Sequence, residues 1–246
     1  MFALAALFGA ALGLPGATFA SPPRLQTGGS IHSLGPSTRS GAAGKTAIVP
    51  TDPSANIPIR WSAAPAACSA APAGVSCETF ALHELDAARA SVGLPPYAVP
   101  ASFLSASATE QVFILTNLDR GAYGMQPIAA LNRSLDAAAA AGAAEGSDPQ
   151  APAAFLSNVT DGGWSANWAG GYPNILFAYY SWMYDDGYGS GNLDCTSPSS
   201  EGCWGHRRDI LAFPTIPTTA MGVATAEYNG EPSFAQLIVA RVAPPT

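Results

Sequence analysis

Two runs of alternating apolar and polar residues near the end of the chain constrain its fold more than any other feature. TAMGVATAEY (219–228) and SFAQLIVARV (233–242) are rich in β-branched and aromatic residues, and Asn229-Gly230-Glu231-Pro232 joins them. An Asn-Gly pair between two such runs is typical of a β-hairpin, because both residues accept the positive φ that a tight turn needs. The sequence therefore predicts an antiparallel hairpin here.

The apolar spacing upstream of the hairpin is that of helices. Four segments show it: residues 78–92, 107–124, 127–146 and 174–184. Ser107, with Glu110 three positions later, fits a capping box at the start of the second segment. In the third segment, Ile128, Leu131 and Leu135 fall on one helical face.

The order of these elements indicates the fold class. Helices come first, DGGWSANWAGG (161–171) supplies a short strand or a loop edge, and the hairpin comes last. This order is typical of α+β domains in which helices pack on a small antiparallel sheet. We therefore expect one α+β domain over residues 66–246.

The first 65 residues differ in composition from the rest. Residues 1–20 are apolar, are interrupted by Pro15-Gly16 and end in Ala20, as a secretory signal peptide does. No Lys or Arg precedes the apolar run, and a retained membrane anchor is the alternative interpretation. Residues 21–65 are rich in Ser, Pro, Gly and Thr, which predicts a disordered leader. We expect a protein that is secreted or associated with the cell envelope, with no integral membrane domain after signal cleavage.

The charge of the chain excludes one class of partner. The net charge is −7, and the chain has only ten Lys and Arg residues. Such a chain has no basic patch that could neutralise a phosphate backbone, so we expect no nucleic-acid partner. The abundance of alanine points to a bacterial source.

Four cysteines fit an exported protein, because an even number of cysteines in a secreted chain is typical of disulfides. Cys68 and Cys77 lie close together in the sequence, and so do Cys195 and Cys203. Local pairing would close two short loops, and this is the pairing we predict. A zinc site of four cysteines is the alternative, but neither pair has the shorter spacing of zinc knuckles. Free thiols are a further alternative for a chain that remains in the cytosol.

Several motifs resemble those of the CAP superfamily, the secreted SCP-domain proteins. In chain order the motifs are LHELDAARASVGLPPY (82–97), SANWAGG (165–171), SWM (181–183), GHRRDIL (205–211) and MGVA (221–224). The resemblance covers about residues 78 to 241. It implies a three-layer α-β-α sandwich of the CAP/SCP type with a small antiparallel sheet.

The family's central cavity usually combines two histidines and two acidic residues, sometimes around a divalent metal. The resemblance places one of these histidines at His206. The acidic residue of the middle motif falls on Ala166, although Asn167 beside it is kept. No histidine lies between residues 136 and 165, where the family has its other one. The cavity is therefore expected to be degenerate, with no cofactor.

For His206 the sequence leaves three interpretations. The first is a histidine hydrogen-bonded into an aromatic core, and the second is a ligand-facing residue. In the third, His206 is a general base whose lost acidic partner is replaced by Asp148 or Asp161, since acid-base catalysis needs a positioned partner. Asp209, one helical turn after His206, is expected to be a capping or surface group. Arg89, in the first motif, is expected to be a structural anchor for a buried carboxylate or carbonyl.

The insertion YDDGYGSGNLDC (184–195) offers oxygen atoms of the kind that calcium prefers. Its candidate ligands are Asp185, Asp186, Asn192 and Asp194. The spacing of an EF-hand is absent, and a turn closed by a disulfide accounts for the same residues.

We therefore predict a non-catalytic extracellular module that binds a small molecule, a glycan or a cell-surface component. Its cleft is expected to comprise His206, Asn167 and three tryptophans, Trp168, Trp182 and Trp204, since aromatic faces suit sugar rings and apolar ligands. The alternative is a secreted hydrolase acting on cell-wall or peptide substrates with His206 as general base. An envelope-structural role, suggested by the long leader, is a third hypothesis.

Overall fold

The computed structural model describes residues 32–33, 50–156, 163–216 and 219–240. The predicted signal peptide, most of the predicted leader and Asp161 lie outside these ranges. No helix in the described ranges has the length and apolar character needed to span a membrane.

Helices and a small mixed sheet make up the described part of the chain. The α-helices are α1 (Ala67–Ala70), α2 (Val75–Ser91), α3 (Ala108–Ala122), α4 (Arg133–Glu145), α5 (Ala153–Leu156), α6 (Ile175–Tyr184) and α7 (Gly205–Ile210). The strands are β1 (His32–Ser33), β2 (Ala130–Leu131), β3 (Gly163–Gly170), β4 (Thr219–Tyr228) and β5 (Glu231–Ala240). Single 3-10 turns lie at Trp61–Ala63 and Phe103–Ser105.

The sheet has the strand order β1-β3-β5-β4-β2. The predicted hairpin is confirmed, because β4 pairs antiparallel with β5 over their full lengths. Asn229 and Gly230 have φ values of 53° and 79°, the positive values that a tight hairpin turn requires. The predicted antiparallel sheet is wrong at one edge, where the two-residue strand β2 runs parallel to β4.

The predicted helices are present, with one difference. The capping box at Ser107 and Glu110 is confirmed by hydrogen bonds in both directions. The third helix begins later than predicted, because Asn132 caps the backbone N–H groups of Ser134 and Leu135. Leu131, which we expected on the face of this helix, instead belongs to β2. Pairing with β4 therefore outweighs the local helical spacing at this point.

Helices cover both faces of the sheet. Leu237 of β5 packs in a cluster with Leu135 of α4, whereas the next residue, Ile238, packs in the main core with α2, α3 and α6. Neighbouring side chains of a strand point to opposite faces. The sheet therefore lies between α4 on one side and the other long helices on the other.

One glycine permits the close contact between α4 and the sheet. A Cβ atom built on Gly222 of β4 would lie less than 3.0 Å from the backbone of Leu135, which real Cβ atoms essentially never do. The first turn of α4 thus rests directly on the strand backbone.

Residues 50–65, called the N-terminal arm below, pack against the rest of the described chain. The backbone N–H of Ile57 donates to the carbonyl of Tyr184 (2.8 Å), and Ile59 is buried. Arg60 forms an ion pair with Glu84 of α2 (2.6 Å). The packed part of the chain thus includes residues before position 66, which composition alone assigned to the leader.

The predicted disulfides are confirmed. Cys68 is bonded to Cys77 and Cys195 to Cys203, with Cα atoms 4.8 and 4.4 Å apart. The first bridge links α1 to α2, and the second closes the loop that follows the predicted insertion.

A buried ionic network holds α2, α3 and α6 together. Asp119 of α3 forms an ion pair with Arg89 of α2 and accepts hydrogen bonds from the hydroxyls of Tyr97 (2.8 Å) and Tyr179 (2.6 Å). Arg89 also donates to the carbonyl of Pro95 (2.6 Å). The prediction that Arg89 is a structural anchor is therefore confirmed.

Candidate functional site

His206 lies on the short helix α7 and forms a buried pair with an aspartate of the insertion. Its Nδ1 atom is 2.7 Å from Oδ1 of Asp186, and its backbone N–H donates to Oδ2 of the same carboxylate (3.0 Å). The side chains of both residues are 0% exposed. Two contacts to one carboxylate fix the orientation of the ring, and His206 is thus hydrogen-bonded within the interior of the domain.

The carboxylate of Asp186 is itself held by Asn192. The side-chain amide of Asn192 donates to Oδ1 of Asp186 (2.7 Å) and to the carbonyl of Gly202 (2.9 Å). The amide oxygen of Asn192 accepts from the backbone N–H of Asp194 (2.9 Å). Two of the calcium candidates, Asp186 and Asn192, therefore make internal hydrogen bonds that orient the His206 ring.

The other two calcium candidates do not join them. Asp185 lines a groove beside Trp204, whereas Asp194 lines a separate cavity beside Asp148 and Trp164. Across the described ranges, no group of three or more His, Cys, Asp or Glu residues is arranged to hold a metal ion.

Several carboxyl groups surround His206. Burial lowers the pKa of His206, but the charge and the hydrogen bond of Asp186, together with the charges of Asp148 and Asp209, raise it by more, and the result is about 9. Burial raises the pKa of Asp209 well above its ordinary value. Asp209 is 1% exposed, so the expectation of a capping or surface role was wrong.

Two polar groups of this cluster are left without hydrogen bonds. Nε2 of His206 and both carboxylate oxygens of Asp209 are buried and have no hydrogen-bond partner within the described part of the chain. Groups of this kind are usually satisfied by interior water. Because the side chain of His206 is 0% exposed, the edge of the ring that carries Nε2 faces the interior of the domain and not an open cleft.

We expect the free energy of unfolding to fall as the pH rises from 6.5 towards 9. In this range the folded protein keeps a proton on His206 that the unfolded chain releases, because the folded pKa is about 9 and the ordinary value is 6.5. This contribution to stability is complete below pH 6.5 and is lost as the pH passes through 9. Between these two pH values the free energy of unfolding falls with a slope that approaches about 1.4 kcal/mol per pH unit. Urea unfolding at a series of pH values measures it, and Asp186→Asn should flatten the curve. If Asp186→Asn has the same slope as the unsubstituted chain, the pH dependence does not come from the pairing of His206 with Asp186.

The predicted cleft of tryptophans is not formed as expected. Trp168 packs under α4 and donates from Nε1 to Ser233 (2.8 Å), whereas Trp182 is 0% exposed in the main core. Trp204 forms a separate cluster with the second disulfide. Asn167 donates to Gln236 on β5 (2.9 Å). Of these residues, Trp204 alone lines the groove in which Asp185 lies.

That groove lies between the N-terminal arm and the insertion and has a volume of about 940 Å³. Its aromatic lining residues are Trp61, Tyr172, Tyr188 and Trp204. Trp61 of the arm is anchored against Phe177 of α6, with ring centroids 4.7 Å apart. Tyr188 is 57% exposed and supplies the most accessible ring. A volume in this range is typical of pockets for small molecules.

Two features give the groove a fixed shape. The side chain of Asn56 bridges to the insertion, accepting from the backbone N–H of Gly187 (2.7 Å) and donating to the carbonyl of Tyr188 (2.9 Å). Trp204 has a φ of 61°, and its backbone N–H donates to the backbone carbonyl of Asp186 (3.0 Å). Left-handed backbone in a bulky residue is strained, and such strain is concentrated at functional sites.

Asp185 supplies the negative charge of the groove. Burial, together with the neighbouring Asp186, raises its pKa to about 6. Within the described ranges, its carboxylate has no hydrogen bond or ion pair, and no Lys or Arg lines the groove. Asp185 is therefore a half-buried anion at neutral pH without a countercharge from the protein.

Comparison of the chain with protein-family models, with curated proteins and with solved structures finds no match in any of the three.

Sequence reasoning missed the arm as part of the site. Ile57, Ile59 and Trp61 alternate with other residues, and this period of two marks a packed, extended segment. The pairing of Asp186 with His206 has no such signal, because 20 residues separate them.

Proposed function

We propose that this chain is a divergent CAP-type (SCP-domain) protein that binds an extracellular ligand and does not catalyse a reaction. The groove beside Trp204 is the proposed binding site. One observation carries the proposal. His206 is fully buried, whereas a separate groove lined by aromatic side chains is accessible to solvent.

Two aspects of the fold support the CAP-type assignment. Helices pack on both faces of the sheet, as in the three-layer sandwich that the motifs imply. The GHRRDIL motif forms α7, which contacts both α6 and β3, so the motifs are adjacent in the fold although they are distant in the sequence.

The burial of His206 supports a non-catalytic role. A general base must reach the proton that it removes, either directly or through one water molecule. Nδ1 of His206 is engaged by Asp186, and the ring is 0% exposed. The pair has the geometry of an oriented imidazole, but in this conformation a substrate cannot approach it.

We expect Tyr188→Ala to weaken ligand binding through the groove without unfolding the protein. Ligand-observed NMR with a mixture of neutral glycans and small aromatic compounds gives the binding readout. Val75→Ala is the matched control, because Val75 is also highly exposed (63%) but does not line the groove. Equal binding by Tyr188→Ala and the unsubstituted chain would contradict the proposed site.

The hydrolase alternative makes a distinct prediction. The full chain is incubated with purified peptidoglycan and with a peptide mixture, and soluble products are measured by mass spectrometry. We expect no product above a protein-free control. Product release that disappears in His206→Asn would overturn the non-catalytic proposal.

A further inference from the structure

The groove beside Trp204 combines aromatic side chains with a single uncompensated carboxylate. Trp61, Tyr172, Tyr188 and Trp204 line it, and so does Asp185. We infer that the groove binds an organic ammonium ion, a protonated amine attached to an apolar or aromatic group. This inference rests on the proposed function, in which the groove is the binding site. It adds that the ligand carries a positive charge.

The first reason is the isolation of the Asp185 carboxylate. A half-buried anion is costly unless a charged or hydrogen-bonding group compensates it. The nearby carboxylate of Asp186 is compensated by His206 and Asn192, whereas Asp185 has no such partner among the described residues. A ligand that carries a positive charge and N–H donors would supply what is absent.

The second reason is the aromatic lining. Aromatic rings attract ammonium groups through their negative faces, and the attraction is larger where water is excluded. A charge-assisted hydrogen bond from an ammonium N–H to a carboxylate adds strength and direction. Trp61 and Trp204 are held in place by Phe177 and by the second disulfide cluster, so these groups are preorganised.

A calcium ion does not fit the groove. Calcium takes six to eight oxygen ligands, and its affinity depends on how many of them are charged. Among the described lining residues, Asp185 is the only carboxylate. The other calcium candidates do not line this groove, and the aromatic rings would have no role in such a site.

The test compares two probes of similar shape, phenethylammonium and 2-phenylethanol, and includes neutral chitotriose as a third probe. Titration of the full chain is followed by intrinsic tryptophan fluorescence, in buffer well above the Asp185 pKa of about 6. We expect the cation to bind about tenfold more tightly than the alcohol, or by a larger factor. Asp185→Asn should abolish this difference while leaving the weaker binding of the alcohol unchanged.

Asp194→Asn is the matched control, because Asp194 belongs to the same insertion but lines the other cavity. It should keep the preference for the cation. Melting curves without ligand check that each variant is folded.

The outcomes separate the ligand class from the proposed function. Equal affinity for the two probes, or a preference for the cation that survives Asp185→Asn, overturns the ammonium inference but leaves the groove as a binding site. Tight binding of neutral chitotriose that is independent of Asp185 does the same and points to a glycan. No binding of any of the three probes at millimolar concentration overturns both.

Discussion

Replacing Asp119 with alanine is expected to lower the free energy of unfolding by about 3 to 5 kcal/mol. Asp119 is 0% exposed, and it is the common acceptor for Arg89, Tyr97 and Tyr179. Without it, the guanidinium of Arg89, which is itself 3% exposed, remains buried and loses its countercharge. The loss is large because an unpaired buried charge costs more than the pair contributes.

Chemical denaturation of the full chain with its disulfides intact measures this loss. Glu145→Ala is the control, because Glu145 is an exposed acid on α4, and it should change stability by less than about 0.5 kcal/mol. The double variant Arg89→Met/Asp119→Leu removes both charges, and we expect it to recover most of the loss. A double variant as unstable as Asp119→Ala would show that packing, and not the unpaired charge, causes the effect.

Replacing Gly222 with alanine is expected to destabilise the domain by about 3 kcal/mol or more. The added methyl group would overlap the backbone of Leu135 and Asp136, which cannot rotate away as a side chain can. Helix α4 would have to lift from β4, and this would open the clusters around Leu135 and Ala139.

The control for this substitution is Gly121→Ala. Gly121 lies in α3, and a Cβ atom there would meet nothing within 4 Å. Alanine favours a helix over glycine by up to about 1 kcal/mol, so this variant should be neutral or more stable. Thermal melting of the two variants compares them directly. A loss in Gly222→Ala no larger than 1 kcal/mol would show that α4 can shift without cost.

The features that were predictable from the sequence depend on neighbours in the chain. The hairpin follows from Asn229 and Gly230, whose backbone angles are favoured by their own chemistry. The capping box at Ser107 depends on a residue three positions away. The disulfides were inferred from their short spacings in the same way.

The features that were not predictable depend on distant partners. Leu131 has helical spacing, but it pairs with Met221 of β4, and nothing local indicates this. The sequence offered Asp148 or Asp161 as the acidic partner of His206, but the carboxylate that contacts the ring is that of Asp186, in the insertion. The tryptophans looked like one cluster because they are close in the sequence, yet the strand and helices direct them into separate packing environments. The groove likewise needs the arm and the insertion together.

The bridge from Asn56 to Gly187 spans 131 positions of the chain, and this separation affects the order of assembly. The arm is synthesised long before the insertion that it binds, and contacts between distant residues form slowly because a long loop must be closed. Trp61 therefore remains without its groove partners until Trp204 has been made and placed. The groove can therefore form only after Trp204 has been synthesised, late in the production of the chain.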